Sequence, residues 1–479
     1  MKKYRYKKES SRRKGGAVIS SRRKGGAVIK RRMDEMKQLI SLVKLKKYFP
    51  LKGGLFQKRR FLHANEEITL NVTEGETLAV VGESGSGKST LGKTLLGLLF
   101  PTFGTVIYRG KTLDEGEPKY LSKYLKNAQK WWTAYQKNKN TPFEKLNPDL
   151  QTALRLFGGF LTLNLQNFEK ATTLLTEYYV AKKHKTNPLN VTQKLEKIKE
   201  EYSDLEEFKK AESHLDNGIE IFRLTAKEMR KLRQDLQIIF QDPYSSLNPK
   251  MTVGQIIEEG VATHGFYKKN SPEMHSYVLS VMEKCGLSKE AYYRYPHQFS
   301  GGQRQRVCIA RTLAVRPKFI VCDECVSALD CSIQSQILNL LMDLKEKENL
   351  TYLFISHDLS VVRHIADRVA VMYLGQIVEL GKTEEVFNRP SHPYTLSLLS
   401  ASPQIEKTKK QKIVLNGAIP SAVSPPKYCP FYSRCFMAQD VCKRIPVPLK
   451  EFKKGRFSAC HFAEISSTEK KKKAKVPLP

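Results

Sequence analysis

Thr77-Leu78-Ala79-Val80-Val81, Phe319-Ile320-Val321-Cys322 and Tyr352-Leu353-Phe354-Ile355 are unbroken apolar runs of strand length. Such runs read as buried strands. Ile68-Thr69-Leu70-Asn71-Val72 alternates instead, as a half-exposed strand should. Strands are also expected at Leu42-Val43-Lys44-Leu45, at Thr105-Val106-Ile107-Tyr108 after the turn Pro101-Thr102-Phe103-Gly104, and at Leu236-Gln237-Ile238-Ile239-Phe240-Gln241. Leu91, Leu95, Leu96, Leu98 and Leu99 recur at helix spacing behind the first run. Helices are expected near Val253 to Ala262 and Met274 to Cys285. From Phe299 helix and strand alternate until near Arg389, the pattern of an α/β domain.

Residues 116–222 interrupt this pattern. They are rich in Lys, Glu, Asn and Leu, and Leu195, Ile198, Tyr202, Leu205 and Phe208 keep helix spacing. The stretch from Ala153 to Tyr179 also reads as helical, and both tryptophans, Trp131 and Trp132, fall in this region. A helical insertion with a small core of its own is expected. It would divide an α/β domain into 39–115 and 223–392. Residues 1–38 read as a basic disordered tail, in which Ser10 to Ile19 is repeated as Ser20 to Ile29; two copies are too few for a repeat fold. Residues 393–465, with Pro420, Pro425, Pro426, Pro430 and four cysteines, read as a small irregular domain, and 466–479 as a Lys-rich tail.

The chemistry begins where the first apolar run ends. Gly82-Glu83-Ser84-Gly85-Ser86-Gly87-Lys88-Ser89-Thr90 lies between the strand and the helix. Strand, Gly-rich loop and helix in that order form a phosphate-binding loop. Its glycines let backbone N–H groups face phosphate oxygens, and the helix N-terminus adds positive charge there. Lys88 can reach the β- and γ-phosphates, and the Ser89 hydroxyl can ligate Mg²⁺. The second apolar run ends in Asp323 and Glu324. Two carboxylates closing a buried strand are costly without a task. Asp323 would hold Mg²⁺ and Glu324 would polarise an attacking water as general base.

Phe299-Ser300-Gly301-Gly302-Gln303-Arg304-Gln305-Arg306 precedes that strand and opens a helix. It resembles the LSGGQ signature of ATP-binding cassette proteins, with Phe299 in the place of Leu. The resemblance implies an α/β P-loop NTPase fold: a RecA-like core, an antiparallel β subdomain and a helical signature subdomain. It implies that Ser300, Gly301, Gly302 and Gln303 close on ATP bound to a partner subunit. Gln241 matches the glutamine that senses Mg²⁺ and the attacking water. Ser327-Ala328-Leu329-Asp330 matches the D-loop, and His357 the histidine that contacts the γ-phosphate. Tyr48 or Phe49 stands at the place of the aromatic that stacks on adenine, with Phe49 preferred. Phe240 to Pro249, Tyr295 to Gln303, Ser356 to Val362 and His392-Pro393-Tyr394-Thr395 look like the oligopeptide/dipeptide importer ATPases, of the OppF type.

That resemblance implies ATP and Mg²⁺ as cofactors. It implies a second ATPase subunit, two membrane permeases and an extracytoplasmic peptide-binding protein as partners, with the chain on the cytoplasmic face of the membrane. Cys325 replaces the usual proline after the glutamate, and the insertion is longer than the family's short segment. Related ATPases carry a C-terminal cysteine set, so Cys429, Cys435, Cys442 and Cys460 are expected to hold an iron–sulfur cluster or Zn²⁺.

The 479-residue chain has 82 Lys and Arg against 48 Asp and Glu, a formal charge of +34. Such charge invites a rival, a soluble cassette ATPase acting on nucleic acid or ribosomes. That rival usually carries two cassettes or a long coiled coil, and neither pattern is found, so no direct nucleic-acid partner is expected. A nickel or other small-solute importer is the nearer alternative. No apolar run reaches the ~18–20 residues of a membrane span. The chain is therefore expected in the cytosol, with its nine cysteines reduced or metal-bound.

Overall fold

The chain is described here by a computed structural model covering residues 37–51, 59–116, 118–401, 413, 415 and 417–464. The expected N-terminal tail, apart from Lys37 and Gln38, and the Lys-rich tail at 466–479 lie outside the described residues. The first strands are β1 (Gln38–Leu51), β2 (Arg60–Thr73), β3 (Thr77–Val81) and β4 (Phe103–Tyr108). After a helical excursion come β5 (Ile219–Glu220), β6 (Leu236–Ile239), β7 (Phe319–Asp323), β8 (Thr351–Ile355), β9 (Arg368–Tyr373) and β10 (Gln376–Lys382). A late hairpin is formed by β11 (Lys450–Lys453) and β12 (Arg456–Ser458).

The larger sheet has the order β11-β12-β10-β9-β3-β8-β7-β6. Its strands from β9 to β6 are parallel, while β10, β12 and β11 extend it antiparallel. Every residue of β3, β7 and β8 is buried. The two-residue period of a strand explains why these runs must be apolar throughout. Ala79, Val81, Ile320, Cys322, Tyr352 and Phe354 join one apolar cluster, which includes residues of the helices Val253–Thr263, Pro272–Lys284, Gly301–Leu313 and Cys331–Glu348. Leu78, Val80, Phe319, Val321, Leu353 and Ile355 join the other, with Leu91 and Leu95 of the helix Lys88–Leu95. The second cluster also takes Ile40, Leu42, Leu70 and Val106 from a smaller sheet of order β2-β1-β4-β5.

Between β4 and β5 the chain forms helices at Lys119–Lys126, Ala128–Asn138, Pro148–Phe157, Leu165–Lys183, Leu189–Tyr202 and Glu206–Glu212. They share a third apolar cluster that contains Tyr124, Trp131, Phe157, Phe168 and Phe208. The helical stretch expected from Ala153 to Tyr179 is divided between two helices by a 3-10 turn at Gly158–Thr162. Gly158 has φ 54°, and a Cβ on Gly159 would stand 2.6 Å from the Phe208 ring, so both glycines serve the break. Asn164 then caps the next helix by accepting from the Asn167 N–H at 3.0 Å. The chain rejoins the smaller sheet when Ile219 and Glu220 pair with Tyr108 and Ile107.

Candidate functional site

The loop after β3 leads into the helix Lys88–Leu95 across the top of the parallel sheet, where ligands of such sheets collect. Gly87, the residue before the helix, has φ 95°, and a Cβ there would come within 2.1 Å of the Ala64 carbonyl oxygen on β2. Only glycine fits both demands. The Asn65 side-chain amide donates to the Gly87 carbonyl at 3.1 Å and pins the same point from β2.

Lys88 is buried at the centre of the loop. Its ammonium donates to the Gly82 and Glu83 carbonyls at 2.9 and 3.0 Å. Burial holds its pKa below the ordinary lysine value, against the pull of the Glu324 and Asp323 carboxylates. The Ser86 hydroxyl oxygen is buried with no hydrogen-bond partner among the described residues, an acceptor or donor with unused capacity inside an anion-binding loop. The Ser89 hydroxyl donates to Asp323 at 2.7 Å. Asp323 ends β7 almost fully buried, and burial raises its pKa although Ser89 and Lys93 oppose the shift.

Glu324 follows in a left-handed conformation, φ 50°, which turns its side chain out of the strand direction. One of its carboxylate oxygens, Oε2, accepts from the Gln241 amide at 3.2 Å and lies 3.2 Å from Nδ1 of His357. Thus Gln241 beyond β6, Glu324 beyond β7 and His357 beyond β8 meet at one oxygen beside the Ser89–Asp323 pair. The residues fit Mg²⁺ and a polyphosphate: hard oxygen donors at Ser89, Asp323 and Gln241, with the Lys88 ammonium and the N-terminus of the helix that carries Ser89 in the same loop.

Ser300 caps the helix Gly301–Leu313 in a reciprocal box with Gln303, at 3.4 and 3.1 Å. Ser300, Gly301 and Gln303 are exposed. A Cβ on Gly302 would meet Ile333 at 2.3 Å, so the helix start lies against the helix Cys331–Glu348. Asp330, exposed, stands just ahead of that second helix. Among the described residues no hydrogen bond or ring contact joins Ser300 to Gln303 with the chain's own phosphate loop. Tyr48 is committed within the small sheet: its ring is 4.1 Å from that of His63 and its hydroxyl donates to Glu66 at 2.7 Å. Phe49 is half-buried, with the Lys47 ammonium 4.8 Å from its ring centre.

The metal site expected at Cys429, Cys435, Cys442 and Cys460 is not supported. The four cysteines line one small cavity of about 20 Å³ with His392, Phe431 and His461. That is room for about one water molecule. Burial pushes the Cys429 thiol up to about 11 and that of Cys435 to about 12. Among the described residues no group of three or more His, Cys, Asp or Glu is placed to hold a metal ion. Cys322 and Cys325, which also show a C-x-x-C spacing, are buried, and a hydrogen bond between them together with burial holds the Cys322 thiol well above its ordinary value.

Residues of the C-terminal part, not among the expected site residues, also reach the phosphate loop. Tyr394 accepts the Glu83 N–H at 2.9 Å, and the Arg434 guanidinium donates to both Glu83 carboxylate oxygens at 2.9 and 3.1 Å. Tyr394 stood in a motif that was legible, but nothing local marks Arg434.

Residues 65–197 and 203–327 match the family described as "ABC transporter", and residues 378–442 match "Oligopeptide/dipeptide transporter, C-terminal region". The chain is 36% identical over 427 residues to the dipeptide transport ATP-binding protein DppF of Haemophilus influenzae, covering 89% of this chain and 97% of that one. It is 35% identical over 429 residues to the oligopeptide transport ATP-binding protein AppF of Bacillus subtilis, covering 88% and 97%. A solved dimeric post-hydrolysis state of the ATP-binding cassette MJ0796 bound to ADP and Pi is similar at 21% identity and a TM-score of 0.45, over 72% of this chain and 99% of that one.

Proposed function

Because the chain belongs to the ABC transporter family, we propose that it is the ATP-binding and ATP-hydrolysing subunit of an importer that carries peptides across the cytoplasmic membrane. The observation that carries this reading is the meeting of Gln241 and His357 on one oxygen of Glu324, beside Ser89–Asp323 and Lys88. Glu324 accepts the proton of the attacking water as general base. Gln241 and His357 hold its carboxylate in place, and His357 and Lys88 contact the γ-phosphate. Lys88 and the helix N-terminus stabilise charge spreading over the transferred phosphoryl group. Ser89, Asp323 and Gln241 would hold Mg²⁺, which would supply charge neutralisation on the phosphates. Phe49 is the aromatic for adenine.

The exposed helix start at Ser300 to Gln303, with Asp330 near it, suits a second anion site completed by another subunit. In this reading two ATPase subunits sandwich two ATP, and opening and closing of the sandwich drives two separate permease subunits. Among the described residues no helix is long and apolar enough to cross a membrane, which agrees with a peripheral subunit served by such partners. An extracytoplasmic binding protein delivers the cargo. The C-terminal match and the names of the relatives favour peptides over nickel, and favour transport over the nucleic-acid rival that the charge of +34 invites.

A gentle detergent pull-down of the tagged chain with mass spectrometry tests the reading. Two polytopic permeases and a second cassette ATPase are expected. Recovery of ribosomal proteins or nucleic acid in their place would replace transport with the soluble rival.

A further inference from the structure

Glu83 is held at both its main chain and its side chain by residues far along the sequence. Its N–H is donated to the Tyr394 hydroxyl, and its carboxylate takes two parallel hydrogen bonds from Arg434. Arg434 is only 8% exposed at its side chain, and one of its nitrogens also reaches the Tyr373 hydroxyl at 3.3 Å, with the guanidinium 5.8 Å from the Tyr373 ring centre. Its hydrogen bonds to Glu83, first of all, and to the Tyr373 hydroxyl hold the Arg434 pKa well above the ordinary arginine value. Tyr373 ends β9, and the Gly375 N–H beyond it donates to the Ser86 carbonyl at 3.0 Å. The rings of Tyr373, Tyr394 and Phe431 pack on one another, with centroids 4.7 to 5.4 Å apart, and Phe431 lies three residues before Arg434.

Two physical consequences follow. A carboxylate within an anion-binding loop opposes any polyphosphate, and Arg434 neutralises it at bidentate range. The Glu83 carbonyl is one of the two that receive the Lys88 ammonium, so the orientation of the Glu83 peptide sets where that ammonium rests. We propose that Arg434 is a positioning residue for the phosphate-binding loop: through Glu83 it cancels the loop's only acidic side chain and fixes its peptide, so that the C-terminal region sets the affinity for ATP. This rests on the ATP-site reading above. Arg434 touches no phosphate; it acts through Glu83.

The test is equilibrium binding of MgATP to the full-length chain, with wild type, Lys88→Ala, Arg434→Met and the double variant Arg434→Met with Glu83→Gln. Arg434→Met is expected to weaken binding about 5- to 20-fold, the lower part of the range of a typical coupling between two sites. The double variant is expected to regain most of that loss, because the uncompensated charge is gone; loss of fold alone would not be rescued this way. In the assembled ATPase the Arg434→Met change is expected in KM, with kcat within about twofold. If Arg434→Met binds as wild type while Lys88→Ala does not bind, the positioning role is overturned and the ATP site stands. If Lys88→Ala also binds as wild type, the ATP-site reading falls and the inference with it. Should Arg434→Met fail to fold, Arg434→Lys keeps the charge without the fork: a loss of a few-fold supports the inference and unchanged affinity overturns it.

Discussion

Glu324 draws two neighbours to one atom: its Oε2 accepts from Gln241 and lies 3.2 Å from His357 Nδ1, the geometry behind its proposed role as general base. Glu324→Gln keeps the shape and removes the base. It is expected to retain nucleotide binding and lose ~10²–10⁴-fold in hydrolysis, as removal of a general base does; phosphate release by the partner-complete transporter measures it, and unchanged turnover removes Glu324 from the role. Glu66 shows the opposite use of a carboxylate, as a tie between strands. Burial would raise its pKa, but hydrogen bonds from Lys46, Tyr48 and His63 outweigh that and leave it below the ordinary glutamate value. A depressed carboxyl stabilises the fold above its unfolded pKa, and that contribution fades as pH falls through the folded value. Glu66→Gln is therefore expected to cost roughly 0.5–1 kcal/mol at neutral pH, small because the site is half-screened by water, and to cost nothing in acid below both values. Urea melts at the two pH values measure the difference.

At the scale of elements, the close seat of the helix Lys88–Leu95 on the sheet depends on Gly92. A Cβ there would stand 2.9 Å from Val321 and 3.0 Å from Ile355, side chains of β7 and β8 that have no room to retreat. Gly92→Val is expected to cost about 1–3 kcal/mol by overpacking, seen as a lower Tm and weaker ATP binding together. The same elements show what a sequence can and cannot disclose. β3, β7 and β8 were legible as apolar runs because both their faces are covered, so every position carries the signal. Lys88, Asp323, Glu324 and His357 could be singled out because each ends such a strand or follows one at short range. The Arg434–Glu83 pair joins positions 351 residues apart, and no periodicity connects them. The cysteines misled because the expectation rested on a resemblance and on their clustering in sequence, whereas ligation needs three or more donors aimed at one point, and no such group is found among the described residues. The helix break at Gly158 and Gly159 was missed because each glycine alone is tolerated in a helix; here the Phe208 ring fills the space.

At the scale of the whole molecule, the insertion has its own apolar cluster but is fastened to the small sheet by one buried carboxylate. Glu220 on β5 accepts from Arg155 at 2.5 Å, Thr152 at 2.9 Å and Arg223 at 2.8 Å. Arg109 on the outgoing strand side holds Asp216 on the return at 3.2 and 2.6 Å. Glu220→Ala takes from the mostly buried Arg155 its nearest counter-charge and leaves it only Asp216 at 4.0 Å, while Arg223 keeps Asp149 at 2.8 Å. Breaking such a pair from one side typically costs about 3–5 kcal/mol. A loss of that size in urea unfolding followed by circular dichroism is expected, and a change under ~0.5 kcal/mol would show that the fastening lies elsewhere.

Trp131, stacked on Tyr124 at 4.9 Å, and Trp132, whose indole N–H donates to the Leu163 carbonyl at 2.8 Å, are the only tryptophans in the chain. Intrinsic indole emission is therefore a private gauge of the insertion. Titrating nucleotide into the protein should leave the colour and intensity of that light where they were, while anything that lands on the insertion, or loosens it, should change them.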